Sequence, residues 1–293
     1  MIKLEEYSKI PDVSEACWQI GISPDGEYLA LTFHNEPHTV QLCDLKGEIF
    51  KKLEGHRGMV HSIAFASDGR TLISGSADKT VRIWSPTGDL LGLFDRFDQS
   101  VESVSYAPEV PILAGGQADG NIIIFDIACN YIATLQSPKK RIYCLSWSGD
   151  NNFLAAACGD KNLYLYNIAM QTKRVFEHPG AVYGVSFAKS NGTMATSCED
   201  GAVRFIKYND DKVEIIDSGD KRTVGITYSP DDKVVVAASF DKSVKFFDNK
   251  GQPIGKHKLD SEALGVTFSA NGERIYISTK DRYLHIYNVD YRE

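Results

Sequence analysis

His56, Ser74 and Asp78 stand within one short stretch, GHRGMVHSIAFASDGRTLISGSADKTVRIW, residues 55–84. Serine, histidine and aspartate are the parts of a nucleophilic triad. In it a hydroxyl attacks a carbonyl, an imidazole takes the proton and a carboxylate orients the imidazole. That chemistry also needs an accessible serine and hydrogen-bond donors for the developing oxyanion. The chain supplies no GxSxG, no HExxH and no glycine-rich phosphate loop to support it. The same side chains also suit a structural task, because buried polar groups must be paired and a complete network ties strands together. Which task applies depends on the elements that position them.

Those elements repeat. An aspartate followed six residues later by an aromatic or apolar residue recurs as Asp78…Trp84, Asp119…Phe125, Asp160…Tyr166, Asp200…Ile206, Asp241…Phe247 and Asp281…Tyr287. Successive aspartates are 41, 41, 40, 41 and 40 positions apart. One further step back reaches Pro37 and Cys43, which makes seven units. Each unit opens with an alternating segment such as VHSIAF or VYGVSF, the pattern of a half-buried strand. A turn such as SPDG (23–26) or SDG (67–69) follows, then a small-residue strand such as TLISGSA or FLAAACG. The aspartate turn leads to a third strand such as TVRIW, and a last, more polar strand such as LLGLF or YIATL closes the unit. Four strands per period of about 40 residues predict the blade of an all-β propeller. The seventh unit stops after its third strand near Val289, whereas residues 2–9, IKLEEYSK, are an unassigned segment of alternating character.

The stretch from Gly55 to Trp84 resembles a WD-repeat (WD40) unit, with its Gly-His start and aromatic close. The resemblance extends over the whole of residues 1–293 as one seven-bladed propeller. The other units are degenerate: Trp84 is the one tryptophan in its slot, and the starting histidine recurs only as His178. The family implies that an amino-terminal strand, here residues 2–9, completes the last blade. It also implies a hydrogen-bonded set that would be His56, Ser74, Asp78 and Trp84, assigned to structure and not to catalysis. The fifth unit keeps His178, Thr196 and Asp200 but has Ile206 in the indole's place, so that blade should be less well tied. Cys158 and Cys198, each two residues before a turn aspartate, read as inert buried thiols.

Composition sets the outer bounds. The 293 residues are 43% hydrophobic and 24% charged, with six scattered cysteines and no CxxC or metal-ligand spacing. That usage reads as reduced thiols in a cytoplasmic protein with no bound metal or cofactor. No apolar run is long enough to span a bilayer, and the amino terminus lacks a signal-type core. A net charge of −7 argues against general nucleic-acid affinity.

Function in a propeller belongs to its faces. In WD-repeat proteins the face with the fourth-to-first-strand loops and the aspartate turns holds partner peptides. Three slots per blade point to that face by alignment. The first reads Trp18, His61, Glu102, Tyr143, Tyr183, Val224, Leu264. The second reads Ala16, Met59, Ser100, Arg141, Ala181, Arg222, Glu262, and the third, before each aspartate, Glu36, Ala77, Ala118, Gly159, Glu199, Phe240, Lys280. The candidate partner-binding residues are Trp18, Met59, His61, Arg141, Tyr143, Tyr183, Arg222 and Phe240, since aromatic and arginine side chains are the usual interface anchors. Lys139, Lys140, Arg141, Lys161, Lys221, Arg222 and Lys242 make blades 4–6 basic, while Asp25, Asp68, Asp150, Asp231 and Asp232 occupy turns at the opposite end. The expected function is a non-enzymatic scaffold: a monomeric propeller in a hetero-complex, binding a peptide or loop with acidic and apolar residues. Two other classes remain, binding of acidic lipid or nucleic acid by the basic sector, and a propeller enzyme. Gly-containing turns after the third strand, as in QLCDLKGE, IWSPTGD and FDNKGQ, are also similar to the amino-terminal propellers of intraflagellar-transport subunits.

Overall fold

The structure, a computed structural model, describes residues 2–10, 17–33, 38–136, 140–190, 192–210, 212–216, 219 and 221–291, with Trp18 described through its backbone alone. Every regular element among them is a strand. Blade 1 is formed by β2 (Cys17–Ile22), β3 (Tyr28–Phe33), β4 (Val40–Asp44) and β5 (Ile49–Leu53), and blade 2 by β6 (Val60–Phe65), β7 (Leu72–Ser76), β8 (Val81–Trp84) and β9 (Leu90–Phe94). Blade 3 comprises β10 (Val101–Tyr106), β11 (Ile112–Gln117), β12 (Ile122–Asp126) and β13 (Tyr131–Leu135). Blade 4 comprises β14 (Ile142–Trp147), β15 (Phe153–Cys158), β16 (Asn162–Asn167) and β17 (Thr172–Glu177). Blade 5 has β18 (Val182–Phe187), β19 (Thr193–Cys198), β20 (Val203–Lys207) and β21 (Lys212–Ile216). Blade 6 has β22 (Thr223–Tyr228), β23 (Val234–Ser239), β24 (Ser243–Asp248) and β25 (Pro253–Lys258). Blade 7 has β26 (Ala263–Phe268), β27 (Arg274–Thr279) and β28 (Leu284–Tyr291), and its fourth strand is β1 (Ile2–Ile10), antiparallel to β28. The chain is a seven-bladed β-propeller closed by its amino-terminal strand.

Seven apolar clusters hold the blades together, one at each junction. Ile73, Val81 and Ile83 of blade 2, for example, meet Val101, Val104, Leu113 and Phe125 of blade 3. The last junction joins Ile10, Tyr276, Leu284 and Ile286 to Cys17, Leu29, Leu31 and Phe33, so β1 contributes to ring closure through packing as well as pairing. Each fully buried aliphatic or aromatic side chain is worth roughly 1.5–3 kcal/mol. The second strands are built of small residues because the next blade's first strand lies directly on them. A Cβ placed on Gly75 would stand 2.7 Å from Val104 Cγ1 and 2.8 Å from Val101 Cγ1.

The first strands of neighbouring blades pack on one another around the centre, and the fourth strands are the outer edges. Hydroxyls and amides cross between inner strands: Ser62 Oγ accepts from Val104 N at 3.0 Å and Ser103 Oγ from Leu145 N at 2.9 Å. The expectation that the fourth strands are the polar ones fails in blades 2 and 3. Leu90, Leu91 and Leu93 of β9 and Tyr131 and Ile132 of β13 are exposed apolar side chains. Of the turn aspartates expected at the far end, Asp232 is buried and accepts from Lys189 N and Ser190 N of blade 5 at 2.9 Å each. It is a tie between blades, not part of an acidic surface.

Candidate functional site

His56, Ser74, Asp78 and Trp84 lie in one hydrogen-bonded chain. The imidazole Nδ1–H donates to Asp78 Oδ2 at 2.8 Å, and Nε2 accepts from the Ser74 hydroxyl at 2.7 Å. That tautomer follows from the network, because a carboxylate can only accept. The Trp84 indole donates to Ser74 Oγ at 2.8 Å. Asp78 also accepts from Arg57 N at 2.9 Å and, through Oδ1, from Thr80 N at 3.0 Å and the Thr80 hydroxyl at 2.6 Å. Burial opposes ionisation of Asp78, yet its hydrogen bonds from His56, Thr80 and Arg57 outweigh it and hold the carboxyl well below the ordinary range. The connectivity is that of a triad, Asp to Nδ1 and Ser to Nε2. Ser74, however, is 0% exposed at the middle of β7 with its oxygen already receiving the indole, which leaves it no path to a substrate.

Blade 5 wires the same residue types differently. His178 Nε2 accepts from the Thr196 hydroxyl at 3.0 Å, but Nδ1–H donates to the Phe176 carbonyl at 3.0 Å and not to Asp200. Asp200 instead pairs with both terminal nitrogens of the buried Arg204, four residues on, which with its other donors brings the carboxyl down to about 2 against the cost of burial. Burial pushes His178 down to about 4. The position four after the aspartate also supplies Tyr164, whose hydroxyl donates to Asp160 at 2.6 Å, and Lys245, 3.7 Å from Asp241. Sequence reasoning centred on the histidine overlooks this position, although an Asp-x-x-x-Tyr/Arg/Lys spacing was there to be read. Cys158 and Cys198 are buried thiols outside any disulfide that donate to the carbonyls of Lys140 and Gly180. They occupy the place of Ser76, whose hydroxyl donates to Gly58 O at 2.8 Å.

The three slots converge through a shared backbone bond. The residue before each turn aspartate donates its N–H to the second-slot carbonyl: Ala77 to Met59, Ala118 to Ser100, Gly159 to Arg141, Glu199 to Ala181, Phe240 to Arg222 and Lys280 to Glu262, at 2.8–3.0 Å. In blade 1 the corresponding Ala16 and Glu36 lie outside the described residues, as do Pro37 and Lys139 of the earlier expectations. The first slot coincides with a β-bulge in every blade, since the register shifts across Trp18, His61, Glu102, Tyr143, Tyr183, Val224 and Leu264. An extra residue there re-aims its side chain away from the alternating pattern of the strand.

A band of contacts runs across these bulges from blade 2 to blade 6. His61 Nε2 lies 3.9 Å from the buried Glu102, and Arg141 Nε lies 3.5 Å from the same carboxylate. The Arg141 guanidinium stands 5.9 Å from the Tyr143 ring, and the Tyr143 and Tyr183 rings are 5.0 Å apart. Arg222 is 5.8 Å from the Tyr183 ring and lies 3.8 Å over Phe240. Arg141 and Arg222 are exposed, while the rings are half-buried. Gly159 makes room for this arrangement, because a Cβ there would come within 3.2 Å of the Tyr143 ring. Burial and the neighbouring Tyr183 push the Tyr143 phenol up, so it stays protonated at neutral pH. Met59 is half-buried beside the His61 end, and the side chain of Trp18 lies outside the described residues. Glu102 is the member that site selection by residue type passes over; a buried carboxylate next to a slot arginine is its mark. A hollow of about 430 Å³ lies away from this band, at the rim between β17 and β21, lined by Arg174, Val175 and His178 among others.

Four turn residues beside this face, Lys79, Lys161, Lys242 and Arg282, have φ of 66°, 75°, 63° and 69°. Glycine occupies the equivalent corner in blades 3 and 5, as Gly120 and Gly201. A side chain in that region costs roughly 1–2 kcal/mol, so four cations are kept where glycine fits better.

The repeated four-strand blades, their closure and the buried tetrad define a WD-repeat propeller. The WD40 family model, "WD domain, G-beta repeat", matches residues 47–85, 129–167, 170–207 and 215–248, and the chain belongs to that family. Among curated relatives, the intraflagellar transport protein 122 homolog of Mus musculus is 36% identical over 75 residues, 25% of this chain and 6% of that protein. The guanine nucleotide-binding protein subunit beta of Saccharomyces cerevisiae is 52% identical over 42 residues, 14% of this chain and 10% of that protein. Apoptotic protease-activating factor 1 of Mus musculus is 32% identical over 93 residues, 31% of this chain and 7% of that protein. The alignments thus span a tenth or less of these relatives. WD40 propellers are typical protein-interaction scaffolds, generally non-enzymatic. No helix among the described residues is long and apolar enough to cross a membrane.

Proposed function

We propose that this propeller is a non-enzymatic docking platform, monomeric as a propeller, that works as a cytoplasmic subunit of a larger hetero-complex. Its partner is a peptide or loop with acidic and apolar residues, laid over blades 4–6. The observation that carries this reading is the stack of the exposed Arg222 on Phe240 beside the paired Tyr183 and Tyr143 rings. Flat aromatic walls with a guanidinium between them offer an apolar residue a surface and a carboxylate a charge-assisted partner. The exposed Lys140, Lys161, Lys221 and Lys242 surround the band and favour an acidic ligand. Similarity of a segment to the intraflagellar transport protein 122 homolog favours an intraflagellar-transport-like assembly.

The test is affinity purification with mass spectrometry, comparing wild type with Arg141→Glu/Arg222→Glu/Tyr183→Ala. The reading requires that at least one specific partner is lost from the triple variant while its melting temperature holds. Retention of every partner would place binding elsewhere. Tight, steeply salt-dependent binding to anionic vesicles or oligonucleotides would favour the lipid or nucleic-acid alternative.

A further inference from the structure

The outer rim of blades 2 and 3 differs from the rest of the circumference in two independent ways. The first is its edge chemistry. The other outer strands all carry charges that discourage unwanted contacts: Lys51 and Lys52 in β5, Lys173 and Arg174 in β17, Lys212 and Glu214 in β21, Lys256 and Lys258 in β25, and Lys3, Glu5, Glu6 and Lys9 in β1. The adjacent strands β9, LLGLF, and β13, YIATL, carry none. Leu91 is 58% and Ile132 is 48% exposed, and Leu90, Leu93, Ile127 and Tyr131 are exposed beside them. The turn into β13 packs on β9, since a Cβ on Gly92 would come within 3.1 Å of Cys129 Sγ. The rim strand β9 and the turn into β13 therefore touch at Gly92 and Cys129, and both strands expose apolar side chains.

The second difference is charge. Residues 85–136 hold seven carboxylates (Asp89, Asp95, Asp98, Glu102, Glu109, Asp119, Asp126) and a single arginine, a net −6 of the chain's −7, although Glu102 is buried beside Arg141 on the slotted face and is no part of the rim. The rest of the protein is close to neutral. Asp89, Asp95 and Asp98 are exposed near the ends of β9.

We infer that the rim of blades 2 and 3 is a second docking surface, for a basic amphipathic segment of a partner protein. The apolar side chains offer the buried contact and the carboxylates around them select lysine and arginine. A second copy of this chain is disfavoured by the same charge, because the exposed Asp89, Asp95 and Asp98 of one rim would face those of the other. Simple strand addition is disfavoured by the backbone. The register of β9 shifts at Leu91 and that of β13 at Ile132, which interrupts the row of free edge groups and turns those two side chains outward. The contact is therefore made by side chains, and it is separate from the Arg222–Phe240 band.

The test uses a labelled amphipathic leucine/lysine peptide, a leucine/glutamate counterpart, and three variants of the whole chain: Leu91→Lys/Ile132→Lys, Asp95→Asn/Asp98→Asn and Val175→Lys. The last adds a lysine to an edge that already has cations. Fluorescence anisotropy should show binding of the lysine peptide weakened about tenfold or more by Leu91→Lys/Ile132→Lys, weakened less and made less salt-dependent by Asp95→Asn/Asp98→Asn, and unchanged by Val175→Lys. The inference is overturned if the lysine peptide fails to bind, if both rim variants bind like wild type, or if the glutamate peptide binds equally. It is also overturned if sedimentation shows a wild-type dimer that Leu91→Lys/Ile132→Lys separates, or if phosphatidylserine vesicles bind the rim in the peptide's place.

Discussion

Blades 2 and 5 share a histidine, a hydroxyl and an aspartate at matching positions, yet they use them differently. In blade 2 the carboxylate of Asp78 is satisfied by His56, and the indole of Trp84 completes the chain at Ser74. In blade 5 a buried arginine takes the carboxylate, an isoleucine replaces the indole, and His178 turns to a backbone carbonyl. A conserved-looking set of residue types is thus no proof of one network. What stays constant is the requirement that the turn carboxylate and the buried imidazole each find partners. Blade 5 is therefore not simply a weakened blade 2, since Arg204 restores what the missing link would leave open.

The largest effect bears on what both blades presuppose, a closed ring. Removal of residues 1–10 strips β28 of its partner and exposes the junction containing Ile10. The expected loss is comparable with the whole net stability of a domain, about 5–15 kcal/mol. It should be visible as a collapsed melting temperature or aggregation; an unaltered melting curve would mean that β1 does not close the ring.

Next, Ser74→Ala leaves His56 Nε2 and the Trp84 N–H buried and unpaired. It should cost about 2–3 kcal/mol in denaturant unfolding. Thr196→Val in blade 5 orphans the imidazole nitrogen alone and should cost less, about 1–2 kcal/mol. Equal losses would mean that the indole link adds nothing.

The histidines sharpen the comparison through pH. Burial takes His178 from its ordinary value of 6.5 to about 4, so the unfolded chain binds more protons between those values. Its contribution is complete above about pH 6.5 and is lost as pH falls toward 4, with a limiting size of about 3 kcal/mol. Stability measured from pH 7 to 4.5 should fall less steeply in His178→Gln than in wild type; parallel curves would contradict a buried neutral imidazole. The smallest effect is in the turns, where Lys79→Gly relieves a left-handed backbone and should stabilise blade 2 by up to about 1 kcal/mol.

Strand order and blade number were legible because the 40-residue period repeats both alternation and turn chemistry, and because IKLEEYSK was the one alternating segment without a blade. The bulges were not legible. A single extra residue at His61 or Tyr143 leaves the local alternation of its strand intact and is defined only against the partner strand. The rewiring of Asp200 depended on Arg204 folding back four residues along β20, which a search anchored on histidine passes over. The apolar rim was misread because the fourth-strand place in the repeat predicts polar residues, whereas LLGLF and YIATL are apolar and the position of β9 and β13 at sheet edges exposes them. The arginine–aromatic band was legible as positions but not as contacts: the stacking of Arg222 on Phe240 joins two slots that are 18 residues apart and meet through the Phe240 N–H bond to the Arg222 carbonyl.

The tetrad of β6–β8 ties the blade together, and the proposed role of the band over blades 4–6 is to bind a partner. The most direct test of these roles is the quantity of partner recovered by Ser74→Ala and by Arg222→Glu, each at a temperature where both variants are folded. Ser74→Ala should recover the wild-type partner set in full, while Arg222→Glu should lose at least one member. The reverse pattern, with partners lost from Ser74→Ala and retained by Arg222→Glu, would contradict them.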